Sequence, residues 1–240
     1  GGIEDLKSKK IVAISEKNLI NDPLRILRGF RLMCELNFEL EGRTKRFIKT
    51  NINELNNVAP ERIKIEILKM VNMEWNALVW KTYLELQILK EWNEIDSPFI
   101  ELKRKDSSSV GFSFGGSLAK LICLLSDKGL TRLKFSKSQI KRCKKLRFWV
   151  QKIDQWGLEN LSEDERFQLH VDLEKDLPSL ILFLHGKYFN TWLKRWKDRS
   201  DPLFHPSSPL SGYSLQKTFK MSPGPSLGRL VRHLAKEKAY

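Results

Sequence analysis

Two proline-marked helix starts, Asp22-Pro23-Leu24-Arg25 and Ala59-Pro60-Glu61-Arg62, constrain this chain most. Proline suits the first turn of a helix, where its missing N–H would have no partner and its fixed φ is already helical. Asp22 stands where an N-cap is expected, with a side-chain oxygen for the open N–H groups of the first turn. Asp22 and Arg25 are three residues apart and so are neighbours on one helix face, and Arg28 extends that polar strip by a turn. Leu24, Leu27, Phe30 and Cys34 form an apolar strip beside it. After Pro60, Ile63, Ile67 and Val71 recur at helical spacing.

The helical period continues along the chain. Phe47, Ile48 and Ile52 are near helical spacing, and Trp75 to Trp92 reads as one amphipathic stretch. The segment around residues 93–117 breaks the pattern with Asp96-Ser97-Pro98, a serine run and three glycines, and reads as a loop. Periodicity returns at Leu118. A helix start is expected at Ser136, a capping box at Ser162 with Glu165, another start at Pro178, and a long segment from Leu180 to Trp196. Residues 200–211 carry three prolines and four serines and read as loop, and a last helix begins near Ser226. Strand signals are confined to the short Ile11–Ile14 run. The fold class is therefore all-α, a multi-helix and elongated arrangement.

Net charge bounds the partner. The 240 residues carry 43 Lys and Arg against 29 Asp and Glu, a surplus of +14. Such a surplus favours a polyanion through counterion release from phosphates. No run of about 18 apolar residues is present, so no membrane partner is expected. Cys34, Cys123 and Cys143 are far apart and lack metal spacing, which suits buried thiols in a reducing, cytoplasmic setting. His170, His185, His205 and His233 are equally scattered, and no metal site is expected.

Four motifs, in order, carry a family resemblance. Asp22-Pro-Leu-Arg25-x-Leu-Arg28-x-x-Arg31 resembles the nucleotide-selecting motif of class II (bacterial-type) tRNA nucleotidyltransferases, the CCA-adding enzymes and their poly(A) polymerase relatives. Gly1-Gly2-Ile3-Glu4-Asp5-Leu6 resembles the preceding family motif, and Val58 to Leu68 resembles the neck motif that follows. Pro209 to Leu215 and Ser222 to Gly228 resemble the family's tail. Asn21 departs from the pattern, since many members carry an acidic residue there. The resemblance implies a connector at 1–17, neck helices at 18–92, a loop at 93–117, body helices at 118–200 and a tail at 201–240. It also implies a catalytic head ahead of residue 1, because the family's Asp-x-Asp metal motif occurs nowhere in the chain. Gly115-Gly116-Ser117 imitates a nucleotidyltransferase signature without the paired aspartates and reads as a loop and helix start. No catalytic residue and no cofactor of this chain's own follow. Mg²⁺, CTP and ATP are implied for the intact enzyme, and the piece alone is expected to be inactive.

The resemblance gives Asp22 and Arg25 a template role. A carboxylate only accepts hydrogen bonds and a guanidinium only donates them. Cytosine and adenine each present an amino donor beside a ring-nitrogen acceptor, so this pair fits them, and uracil and guanine would leave polar groups unpaired. The plainer alternative is a helix cap with a local ion pair. Arg28 and Arg31 either hold the template pair or reach the triphosphate. Arg62 and Glu66 are spaced as an i, i+4 ion pair bracing the second helix, and Glu61 complements its N-terminal dipole. Lys137, Lys141, Arg142, Lys144, Lys145 and Arg147 fall on one helix, and Lys194 and Arg195 on another. They are candidates for the phosphates of a tRNA, with a solvated face as the alternative. The function expected is nucleotide selection and tRNA binding within an enzyme that adds CCA, or CC or A, to tRNA 3′ ends. A non-catalytic helical RNA-binding adaptor is the second reading.

Overall fold

The computed structural model describes residues 2–94, 116–184 and 186–240, and among them helix dominates, as the sequence predicts. The chain divides into two compact units, Gly1–Lys144 and Lys145–Tyr240. The division falls inside one helix.

The first unit runs α1 (Gly2–Lys7), β1 (Lys10–Ile11), α2 (Glu16–Asn21), α3 (Leu24–Leu36), β2 (Glu39–Leu40), α4 (Gly42–Asn51), α5 (Pro60–Val71), α6 (Ala77–Leu86), α7 (Gly116–Leu124), α8 (Asp127–Arg132) and the start of α9 (Lys137–Trp156). The Ile11–Ile14 run is strand only at its beginning. Ile11 pairs in parallel with Leu40, and Ala13 N–H leaves the ladder to donate to Thr44 Oγ1 at 2.9 Å. The proline starts open α3 and α5, which lie side by side. Leu24, Leu27 and Phe30 are buried as the strip predicts, with Ile26 and Met33 added and Cys34 only half-buried. Ile63, Ile67, Met70 and Val71 are the buried face of α5.

Aromatic packing closes this core. Trp75 Nε1–H donates to the Met70 carbonyl at 2.8 Å, and its ring meets Phe30 edge-on at 5.2 Å between centroids. Tyr83 joins them at 6.1 Å from Phe30. Each such pair adds roughly 0.5–1.5 kcal/mol beyond the area it buries. The Trp75–Trp92 stretch is not one helix: Trp75 precedes α6, Gln87 ends it in the left-handed conformation, and Trp92 lies in a 3₁₀ turn. The carbonyls that end α5 are met from α7, where buried Lys120 donates to Val71 O at 3.1 Å and to Met73 O. Its ammonium is well placed at the negative end of the α5 dipole. Ser117, just inside the α7 start, donates to Asn72 Oδ1 at 2.6 Å. The expected loop at 93–117, Gly115 included, lies almost wholly outside the described residues.

The second unit holds the rest of α9, then α10 (Glu163–Leu173), α11 (Leu177–Ile181), α12 (Gly186–Lys197), α13 (Gly212–Phe219) and α14 (Pro225–Ala239). The predicted capping box forms: Glu165 N–H donates to Ser162 Oγ at 3.3 Å, and Ser162 N–H to Glu165 Oε2 at 2.8 Å. The segment from Leu180 to Trp196 divides, because α11 ends at Ile181 and α12 restarts at Gly186, whose φ of 52° is left-handed. Residues 200–211 form neither helix nor strand. Lys236 of α14 pairs with Asp164 at the start of α10 at 2.6 Å.

His170 is 1% exposed and stacks on Trp192 at 5.3 Å, with Phe204 at 4.3 Å. Burial, reinforced by the nearby Arg195 charge, holds its pKa down at about 3. In the unfolded chain the imidazole titrates near 6.5, so between about pH 6.5 and 3 only the unfolded state takes up this proton. Stability is therefore lost as pH falls through that window. His170→Leu should flatten the pH dependence of urea-unfolding stability by up to about 1.4 kcal/mol per pH unit. An unchanged slope would mean that the folded protein already carries a charged imidazole.

Candidate functional site

The expected Asp22 cap is absent. Asp22 closes α2, Pro23 takes the cap position of α3, and no side chain bonds to the first turn of α3. Backbone carbonyls serve that turn instead, Asp22 accepting from Arg25 N–H at 3.0 Å and Pro23 from Ile26 N–H at 2.9 Å. The carboxylate instead faces three guanidinium groups. Oδ2 is 3.5 Å from Arg25 Nε and 3.8 Å from Arg28 Nη1, and Oδ1 is 3.8 Å from Arg62 Nη2. These contacts are ionic and too long for good hydrogen bonds. Lone pairs of Asp22 and N–H groups of Arg25 are thus left for another partner, and both side chains reach solvent, at 25% and 49% exposure.

A buried carboxylate stands behind this pair. Glu66 of α5 is 4% exposed. Its Oε2 is 3.1 Å from Arg31 Nε, and its Oε1 is 3.8 Å from Arg28 Nε and 3.3 Å from Lys69 Nζ. Arg31 also donates to Glu35 at 2.8 Å. The Arg62–Glu66 pair expected from spacing is not made. Arg62 crosses to Asp22 and Glu66 crosses to α3, because both face the neighbouring helix rather than each other. Arg28 spans the two carboxylates. Glu61 sits in the first turn of α5 as predicted, and Lys134 at 2.5 Å holds its carboxyl below the usual carboxylate range.

A cavity of about 230 Å³ adjoins this row. Arg25, Arg28 and Gly29 of α3 form one wall, and Ile11–Ile14, Asn18 and Leu19 form part of the rest.

The basic candidates separate by burial. Lys137, Lys141, Arg142 and Lys144 are exposed on α9. Lys145 pairs with Asp172 at 2.8 Å, and Arg147 is 6% exposed, so it is no surface cation. Lys194 is exposed on α12, whereas Arg195 is held by Asp201 in a two-pronged contact at 2.7 and 3.2 Å and lies over the Phe204 ring. Sequence reasoning missed Glu35, Lys69, Asp172 and Asp201 as partners. Only Arg31–Glu35 and Glu66–Lys69 carry a local spacing signal. Among the described residues no group of three or more His, Cys, Asp or Glu could hold a metal ion, and no helix is long and apolar enough to cross a membrane.

Comparison with known proteins now bears on this site. The family model described as the probable RNA and SrmB-binding site of polymerase A matches residues 37–94. A CC-adding tRNA nucleotidyltransferase of Synechocystis is 22% identical over 97% of this chain and 64% of its own length. The chain is similar to CCA-adding tRNA nucleotidyltransferases along its length. Two solved members share the fold over all of this chain: the Bacillus stearothermophilus CCA-adding enzyme in complex with CTP (TM-score 0.65, 15% identity, 63% of its length) and the Thermotoga maritima CCA-adding enzyme complexed with tRNA (TM-score 0.66, 17% identity, 62% of its length). The chain therefore spans less than two thirds of these relatives. Within it, the family match at 37–94 takes in α4, α5 and α6 and so carries Glu61, Arg62 and Glu66.

Glu66→Ala should lower urea-unfolding stability by about 2–3 kcal/mol, since it removes the buried carboxylate that Arg28 and Arg31 share and leaves them only Asp22 and Glu35 nearer the surface. Arg62→Ala should cost no more than about 0.5 kcal/mol, because its pair is half exposed. Equal losses in the two variants would show that Glu66 does not hold α3 to α5.

Proposed function

We propose that this chain is the nucleotide-selecting and tRNA-binding part of a tRNA nucleotidyltransferase that adds CCA, or its CC or A portion, to tRNA 3′ ends. One observation carries the reading: Asp22 and Arg25 stand side by side at a helix start, partly exposed, with hydrogen-bonding capacity that the protein leaves unused. The Asp22 oxygen accepts from the amino group of cytosine or adenine, and the Arg25 guanidinium donates to the adjacent ring nitrogen. A uracil or guanine would set its carbonyl against the carboxylate, at a cost of about 1–3 kcal/mol for each polar group left unpaired. Arg28 and Arg62 hold the carboxylate in place from behind. The names of the relatives, which add CC or CCA, and the CTP and tRNA bound to two of them support this assignment.

In this reading residues 18–92 select the nucleotide, and the helices of 118–200 with the tail at 201–240 hold the RNA. Mg²⁺, when bound, supplies charge stabilisation for nucleotidyl transfer. We place it in the portion of the relatives that this chain does not span, so the chain alone adds no nucleotide. A cytoplasmic location fits the absence of any disulfide among Cys34, Cys123 and Cys143.

Arg25→Ala, in an enzyme that includes the catalytic head, should reduce discrimination of CTP and ATP over UTP and GTP by roughly 5- to 100-fold in relative kcat/KM. Affinity for tRNA should be little changed. Selectivity that stays at the parent's level would leave Asp22 and Arg25 as a local ion pair and nothing more.

RNA grip falls first to the exposed lysines of α9. Lys137, Lys141 and Lys144 share one helix face, and among the described residues they meet no carboxylate. Replacing all three with Ala should flatten the slope of log affinity for tRNA against log salt by about 0.7–0.9 for each phosphate no longer neutralised. A triple variant with the parent's slope would assign that face to solvent.

A further inference from the structure

Two aromatic rings on α9 stand in solvent. Phe148 is 53% exposed and Trp156 is 59% exposed. With Lys152 between them they recur every four residues, so ring, cation and ring form one ridge along the helix. Gln151 and Gln155 border that ridge. The one carboxylate in the helix, Asp154, is two residues from both Lys152 and Trp156 and faces away from them. Lys137, Lys141 and Lys144, all exposed, precede the rings on the same helix.

The Phe148 ring is held in place while half of it stays open. Trp149 meets it edge-on at 5.0 Å between centroids, and the Lys152 ammonium lies 5.7 Å from its centre. Lys152 is fixed in turn by Glu165 at 2.6 Å. A ring held this way gives up little freedom when a flat group is laid on its open side. The Lys152 charge is answered inside the protein, so the charge offered outward comes from the lysines that precede the rings.

Flat apolar area beside lysines suits a partner that is flat and carries anions at short intervals, and a nucleic acid strand is both. The spacing selects an unpaired strand. Phe148 and Trp156 are about 12 Å apart along the helix axis. In a duplex each base is covered by neighbours about 3.4 Å away, which leaves no face for a side chain. The bases of a single strand splay apart and expose their faces. A second copy of this chain is a poor occupant, because two surfaces of a molecule with net charge +14 repel.

We propose that Phe148 and Trp156 bind single-stranded RNA, one base stacked on each ring, with its phosphates drawn to the exposed lysines of α9. The ligand differs from the paired arms of a tRNA. The proposal rests on the RNA-binding reading above and does not depend on base selection by Asp22 and Arg25.

The test is binding of the 240-residue chain to a labelled oligouridylate of about ten nucleotides, beside an RNA duplex of the same length and tRNA. Phe148→Ala and Trp156→Ala should each weaken oligouridylate binding roughly 5- to 100-fold, with duplex binding changed less than about twofold. The salt slope should stay at the parent's value, because no phosphate contact is removed. Phe148→Tyr should bind as the parent does. Phe148→Ile keeps apolar bulk against Trp149 but lacks a flat face, and it should lose affinity like Phe148→Ala with its melting temperature unchanged. Oligouridylate affinity within about twofold of the parent in both alanine variants overturns the site, as does an equal loss for oligouridylate and duplex. A dimer that the alanine variants dissolve, with oligouridylate affinity unchanged, assigns the ridge to a second copy and overturns it too. A chain that binds tRNA and not oligouridylate overturns this site and leaves the tRNA reading standing, and one that binds neither overturns both.

Discussion

Glu66 is the residue on which the charged face of the first unit depends. A carboxylate with 4% exposure is costly to bury unless cations surround it. Lys69 comes from its own helix, but Arg28 and Arg31 come from α3. Their reach to one buried point fixes the rotation of α3 about its own axis. With that rotation set, Leu24, Leu27 and Phe30 turn into the core and Arg25 follows Arg28 onto the outer row. Asp22 then meets Arg25, Arg28 and Arg62 together. The partly exposed pair is thus oriented by an interaction that is itself buried.

That arrangement also settles the competition for the Asp22 carboxylate. A capping aspartate would spend an oxygen on the first-turn N–H groups, as Glu41 does for α4, where its two oxygens accept from Arg43 and Thr44 at 2.8 Å each. The two helix starts differ in what stands next to them. Glu41 keeps its oxygens on the first-turn N–H groups, whereas Asp22 is drawn away by cations from two helices. Around Asp22 and Glu66 the cations Arg25, Arg28, Arg31, Arg62 and Lys69 exceed the carboxylates. The surplus suits an anionic ligand whose base is read at the same place.

Local order is largely legible in the sequence because local rules govern it. The proline starts of α3 and α5, the Ser162–Glu165 box and the Ser136 start all depend on residues within one turn, and Gln139 N–H does donate to Ser136 Oγ at 3.2 Å. The candidate site is legible as a set of residues and not as a set of contacts. Spacing pairs Asp22 with Arg25, and that contact is made, but it also assigns Arg62 to Glu66, whereas these two choose partners across the α3–α5 interface, at separations a single helix period cannot report. The same blindness counts Arg147 and Arg195 as surface cations. One is buried, and the other is held by Asp201, a residue in the irregular segment that follows α12. The division of Leu180–Trp196 is invisible to periodicity because a left-handed glycine interrupts the backbone without interrupting the apolar pattern.

The basic residues sort by type as well as by position. The guanidiniums of Arg28, Arg31, Arg62 and Arg195 all face carboxylates, most fully at Arg195, where the planar fork matches Asp201. Lys137, Lys141, Lys144 and Lys194 stand in solvent on helix faces. A lysine there keeps its long stem mobile and its charge hydrated, and it gives up a counterion readily when a phosphate arrives. Such contacts hold a backbone without reading it. Under the proposed function the two tasks therefore fall to different chemistry. Selection needs groups fixed in direction, which Arg25 and Asp22 supply with Arg28 and Arg62 beside the carboxylate, and grip needs charge that adapts to the path of an RNA strand, which the exposed lysines supply. An arginine released from its carboxylate would add to the second task only by loosening the first, so nucleotide selectivity and RNA affinity can be tuned by separate residues.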